Sequence, residues 1–182
     1  MLKCLNTKML KWRGFTLIEL LVVTSIIILL SAIILPNYRG IERQFALQRS
    51  AHKLAQDIRR AGEMAMSTKE FQGKVPAGYG IYLKQGERDY LLYADTNPPK
   101  GNEKYDGGDG KIETINLEKG VYIKNISPSS LSINFKPPIP TVKIKTGAGQ
   151  DSASAVITLS LESDPTKTKI IKVNSAGLID VE

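Results

Sequence analysis

The sequence predicts an α+β chain, in which a long N-terminal α-helix spans a membrane with its first half. The second half packs on an antiparallel β-sheet or sandwich domain. Three observations predict this. Residues Phe15 to Leu35 form an apolar run containing a single charge, Glu19. Residues 38–65 carry apolar side chains at three- and four-residue steps. After Gly73, short runs of β-branched and aromatic residues alternate with Gly, Pro, Asn and Asp clusters.

The apolar run is 21 residues long, roughly 31 Å as a helix, which matches the hydrocarbon thickness of a bilayer. Lys3, Lys8, Lys11 and Arg13 precede it and no acid does. The positive-inside rule then places the N-terminus in the cytoplasm and the C-terminal domain outside, in a single-pass inner-membrane topology. A cleaved secretory signal has a shorter apolar core and ends at an A-x-A-like site. Here the core is longer, holds Glu19, and is followed by no such site. A plain membrane anchor explains the hydrophobicity but gives Glu19 no purpose. A carboxylate in hydrocarbon costs roughly 2.5–3.5 kcal/mol even on insertion scales, so it calls for a partner.

The formal charge is +7, but the four leading basic residues account for part of it and the remainder carries +3. The basic balance is thus largely a targeting feature and weak evidence for nucleic acid. The one cysteine, Cys4, lies in the leading segment, so the rest of the chain forms no internal disulfide. With a single histidine, His52, there is no thiolate or imidazole cluster for a metal.

The segment Lys-Trp-Arg-Gly-Phe-Thr-Leu-Ile-Glu-Leu-Leu-Val-Val, residues 11–23, resembles the class III signal of type IV prepilins and type II secretion pseudopilins. The resemblance implies that residues 1–14 are a leader. A prepilin peptidase would cut between Gly14 and Phe15 on the cytoplasmic face and methylate the new Phe15 amine. It also implies that Glu19 neutralises the N-terminal amine of a neighbouring subunit in a helical filament. Opposite charges in low dielectric are far less costly together than apart. A 14-residue leader is somewhat long for the short-leader class. The implied partners are the peptidase, other pilins or pseudopilins, and an inner-membrane assembly platform.

Residues 15–35 are therefore expected to be the membrane and filament-core half of the helix. Residues 36–72 are its amphipathic second half, and 73–182 the β domain. Pro36 removes a backbone donor and is expected to kink or loosen the helix. The resemblance implies a stretch that melts on filament packing, and a simple boundary at the bilayer surface explains Pro36 equally. Beyond it, Ile41, Phe45, Gln48, Ala51, Leu54, Ala55, Ile58, Ala61, Gly62 and Ala65 form the stripe expected to face a sheet. Arg39, Arg43, Arg49, Lys53, Arg59 and Arg60, with Glu42 and Asp57, make the opposite face. That face reads as solvated, or as a subunit-packing or headgroup surface. The pattern fades near Ser67 and Gly73.

The β domain is expected to hold a hairpin of 79–84 and 89–94 and a second pair of 111–117 and 121–126. Strands follow at 131–136 and 141–145, a further pair at 155–161 and 169–173, and a last strand at 178–181. Such spacing suggests two packed antiparallel sheets. Gly78-Tyr79-Gly80-Ile81, Ile133-Asn134-Phe135 before the prolines, and the Val173-to-Gly177 turn within 170–179 resemble the GspH/FimT-type domain of pseudopilins and minor pilins. No cysteine pair closes a C-terminal loop as in many major pilins, which favours a minor subunit.

The loop Asp95–Gly110 is rich in oxygen ligands. Asp95, Asn97, Asn102, Asp106 and Asp109 are weak candidates for calcium. The EF-hand spacing fails, because Tyr105 and Asn116 fall on its first and twelfth positions. Turn-forming Asp, Asn and Gly explain the composition without metal or other cofactor. Lys136, Lys143, Lys145, Lys167, Lys169 and Lys172 raise DNA binding as an alternative, as some minor pilins of this type take up DNA. Few aromatics interleave with them, and edge-strand lysines more often block aggregation. There is no G-x-S-x-G, H-E-x-x-H or Walker loop. The sequence therefore reads as a non-enzyme, a structural pilus or pseudopilus subunit and itself a substrate for processing. The alternative is a DNA-binding or adhesive minor pilin.

Overall fold

The computed structural model describes residues 14–97, 101–137 and 141–182, with the side chains of 35–39 excepted. Residues 1–13, which hold Cys4 and most of the expected leader, lie outside them. The chain divides at Gly40 into two units. One 50-residue helix, α1 (Leu17–Met66), contributes to both. Residues 36–40 are helical too, so Pro36 does not end the helix.

In the first unit the helix runs through Leu17–Ile34, long and apolar enough to cross a membrane and buried nowhere within the unit. Two of its hydroxyls are satisfied within the helix. Thr24 Oγ1 and Ser25 Oγ donate to the Leu21 carbonyl at 3.0 and 2.8 Å.

The second unit, Ile41–Glu182, is two antiparallel sheets and the rest of α1. The first sheet has six strands: β1 (Gly78–Leu83), β2 (Asp89–Asp95), β3 (Gly110–Asn116), β5 (Leu131–Lys136), β6 (Thr141–Thr146) and β7 (Asp151–Ser152). Their spatial order is β3-β2-β1-β5-β6-β7. The second sheet has the order β10-β9-β8-β4 and is built from β4 (Val121–Ser127), β8 (Ser154–Leu161), β9 (Thr168–Asn174) and β10 (Ile179–Val181). The hairpin of β1 and β2 and the pairing of β8 with β9 follow the sequence reading.

One core joins helix and sheets. Leu54, Ile58 and Ala61 of α1, Ile81 and Leu92 of the first sheet, and Ile157 and Ile171 of the second are all fully buried. Gly62 lets the helix approach β5, since a Cβ there would stand 3.2 Å from the Phe135 ring. At the edges, Tyr90 Oη donates to Asp57 at 2.6 Å, and Arg49 bonds Glu118 through two nitrogens at 2.7 and 2.6 Å. Arg59 donates to the Ile179 carbonyl of β10 at 3.2 Å.

Several expectations are corrected. β3 and β4 do not pair with each other. β3 joins β2, and β4 joins β8 in the other sheet. Between them the Leu117 N–H donates to the Arg88 carbonyl and the Glu118 N–H to Ser50 Oγ. The corner is thereby tied to the helix, and Gly120, at φ +84°, turns the chain into the second sheet. The buried helical stripe starts at Ala46 and Leu47, while Ile41, Phe45 and Gln48 face away from the core. Asp57, expected on the solvated face, is buried because Tyr90 supplies its hydrogen bond. The helix ends at Met66 rather than 72, and a two-residue strand, β7, lies between the expected strands at 141–145 and 155–161.

Candidate functional site

The candidate assembly site is the start of α1. Gly14 and Phe15 precede the helix, and the Phe15 side chain is 86% exposed. Thr16 is the N-cap and Glu19 sits three residues on. Glu19 Oε2 accepts from both the N–H and Oγ1 of Thr16 at 3.0 Å, and the Glu19 N–H donates back to Thr16 Oγ1 at 3.2 Å. This is a capping box: the carboxylate satisfies a backbone donor that a helix start leaves unpaired. The one acid of the apolar segment is thus held by its own helix while its second oxygen, Oε1, stays free of these bonds. Thr16 was missed as a site residue on sequence, although the Thr-x-x-Glu spacing announces it.

Asp95 ends β2, and the other calcium candidates follow it in the segment up to Asp109, whose described residues 101–109 form a strap against the six-stranded sheet. Asp95 and Asp109 are buried. Asp95 accepts from the N–H groups of Asn102 and Glu103 at 3.3 and 2.8 Å. Asp109 accepts from those of Thr96 and Asp106 at 3.1 and 2.9 Å. Asp106 takes the side-chain amides of Asn97 and Asn102, both at 2.7 Å. These carboxylates staple the strap through its own donors. Among the described residues no group of three or more His, Cys, Asp or Glu is placed to hold a metal ion. Burial pushes the Asp95 and Asp109 carboxyls up, against the pull of those N–H groups.

The strap also explains β5. Ser132 and Asn134, the polar side of an alternating strand, are buried beneath it rather than in water. Ser132 Oγ accepts from the Tyr105 N–H at 3.0 Å, and Tyr105 packs its ring on Tyr82 and Tyr93 with centroids 4.9 and 5.3 Å apart.

The candidate nucleic-acid lysines do not form one stripe. Lys143 and Lys145 belong to the six-stranded sheet, whereas Lys169 and Lys172 belong to the four-stranded one. Lys145 lies between Glu103 and Asp151 at 3.3 and 3.4 Å, and Lys136 also binds Glu103, at 2.7 Å. Lys172 pairs with Glu182. His52 is exposed on the helix.

Glu103 therefore clamps the strap to β5 and β6. Partial burial pushes its carboxyl up, but Lys136 and Lys145 outweigh that and hold it below the ordinary 4.5. A depressed carboxylate contributes stability above its unfolded value and loses it as pH falls through its folded value. Glu103→Gln is therefore expected to flatten the loss of stability below about pH 4.5. Urea unfolding of the two chains across that range checks this. Equal acid sensitivity would assign the effect to other groups.

No family model matches the chain. It is 27% identical over 164 residues to fimbrial protein Q of Moraxella bovis, a similarity covering 90% of this chain and 88% of that protein. Among solved structures, the minor pseudopilin EpsH from the Type 2 Secretion System of Vibrio cholerae is similar over 75% of this chain and 95% of its own. The TM-score is 0.44 and the identity 11%.

Proposed function

We propose that this chain, a type IV pilin-like protein, is a minor structural subunit of a type IV pilus or a type II secretion pseudopilus, assembled through its N-terminal helix. The observation that carries the proposal is the start of α1. Glu19, the one charge of an uncovered apolar segment, is held at its N-terminal end, five residues after Gly14. Resemblance along nine-tenths of the chain to a fimbrial protein supports the same reading.

In this proposal a prepilin peptidase removes residues 1–14 and methylates the Phe15 amine. The mature chain stays in the inner membrane by residues 15–35, with its C-terminal domain outside. An assembly platform then draws it into the filament. There the Phe15 amine of one subunit reaches Glu19 of the next, and the helix loosens around Pro36. The role is structural, not catalytic. The division of the candidate lysines between two sheets gives DNA binding no added support.

Two experiments test the proposal. Deleting the gene in the native host and counting surface filaments by electron microscopy separates pilus from pseudopilus. Sparse or lost filaments place the chain in a pilus, and intact filaments with altered secreted proteins place it in a secretion system. Gly14→Val is expected to abolish leader removal, read as a mass difference on a gel. Among the described residues no atom lies within 4 Å of a Cβ built at Gly14. A processed variant would move the scissile bond elsewhere.

A further inference from the structure

The strap covers only part of the sheet face turned away from the core. Ile81, Leu83, Leu92 and Ile115 belong to the core, so their neighbours Tyr82, Leu91 and Thr114 stand on the opposite face. Tyr82 of β1 faces Leu91 of β2, and Leu91 faces Thr114 of β3, in one row across three strands. With about 4.8 Å between strands, the row is roughly 10 Å long. An open groove of about 320 Å³ follows it, with Tyr105 of the strap as its wall and Lys84, Asp89 and Lys111 at its rim. The Tyr82 and Tyr105 rings lie 4.9 Å apart between centroids, tilted by 38°, and form one half-buried apolar surface. Tyr79 and Tyr90 donate their hydroxyls to the Lys69 carbonyl and to Asp57, and that of Tyr93 accepts from Asn134. Among the described residues no side chain or carbonyl takes up the hydroxyls of Tyr82 and Tyr105, which are left at the groove.

The rim selects the ligand. Lys84 and Lys111 are balanced by Glu87 and Asp89, and Lys84 already binds Glu87 at 3.2 Å. No field of one sign gathers there to hold a nucleic acid or a strongly charged peptide. What remains is an aromatic surface edged by single polar groups: the Asp89 carboxylate, the Lys111 ammonium, the Thr114 hydroxyl and two phenols. That set suits an uncharged polyol. A pyranose with equatorial substituents offers C–H faces to the rings and a girdle of hydroxyls to the rim. A β-linked chain of such sugars is extended, as the row is.

We infer that this groove binds a neutral, β-linked oligosaccharide. Tyr82 and Tyr105 take the sugar faces, and Asp89, Lys111 and Thr114 take the hydroxyls. The inference goes beyond the assembly reading and does not depend on it, since no residue of the groove belongs to α1. It gives the β domain a ligand of its own.

Calorimetric titration of the full-length chain with cellotetraose tests this, in a detergent whose headgroup is not a sugar. The expected result is saturable binding, weakened about ten-fold by Tyr82→Ala through lost stacking. Thr114→Val is expected to weaken it several-fold through one lost hydrogen bond. Maltotetraose, whose α-linkage curls the chain, is expected to bind more weakly than cellotetraose. Should Tyr82→Ala fail to fold, Thr114→Val decides alone, because it changes only an exposed residue of an edge strand. The absence of saturable binding, binding that Thr114→Val leaves unchanged, equal binding of maltotetraose, or tighter binding of an oligothymidylate each overturns the inference.

Discussion

Glu19→Ala is expected to leave leader removal intact and to reduce incorporation into filaments by about two to four orders of magnitude. Breaking a buried ion pair by deleting one partner costs roughly 3–5 kcal/mol, because the other charge is left in low dielectric. In the proposed filament that other charge is the Phe15 amine of a neighbour. The alanine variant also loses the capping box with Thr16, which on its own costs about 0.5–2 kcal/mol of helix stability. Glu19→Gln separates the two effects. Glutamine also serves at the third position of a capping box, so this variant keeps the hydrogen bonds and loses only the charge. Quantifying processed chain in sheared filaments, against processed chain in membranes, reads the outcome. If Gln incorporates like the parent, cap geometry rather than charge pairing is what assembly needs at Glu19.

The elements themselves were legible in the sequence because each local signal is strong. The β-branched and aromatic runs within 79–84 and 89–94 and the four-residue turn between them specify a hairpin without tertiary help. The heptad-like spacing of the helix was equally visible, yet it misled about which face is buried. Ile41 and Phe45 obey the same period as Leu54 and Ile58, and only the position where the sheets begin to cover the helix decides between them. The separation of β3 from β4 had no local signal either. Glu118-Lys119-Gly120 is an ordinary hairpin turn, and long-range bonds to Arg88 and Ser50 divert it. In the sequence the strap reads as a loop whose acids look like ligands. They prove to be acceptors for its own N–H groups, a role that composition does not distinguish. At the helix start the sequence reading found Glu19 but passed over Thr16, although Thr-x-x-Glu before an apolar run is a capping signal by itself.

Gly80→Ala is expected to destabilise the β domain strongly. Its ideal Cβ would stand 2.6 Å from the Ile133 carbonyl oxygen and 2.8 Å from two carbons of the Tyr93 ring. Neither neighbour yields easily. The carbonyl belongs to the ladder in which Gly80 faces Asn134 on β5. The Tyr93 ring is fully buried, held by Tyr105 above it and by Asn134, whose Nδ2 donates to its hydroxyl at 3.3 Å. Burial pushes that hydroxyl far above its ordinary range, so it stays protonated and fixed in place. Inserting a methyl into such packing costs about 1–3 kcal/mol, and the upper end applies where backbone must shift. For a unit of this size that lowers the melting temperature by roughly 6–12 °C. Gly107→Ala is the control: no atom lies within 4 Å of its added Cβ, and such surface changes stay within about 0.5 kcal/mol. Thermal unfolding of the full-length chain in detergent, followed by near-ultraviolet circular dichroism of the tyrosines, compares the three. If Gly80→Ala melts with the parent, the Tyr93 ring is free to swing away from β1. The strap it supports would then be held by the Glu103 clamp instead.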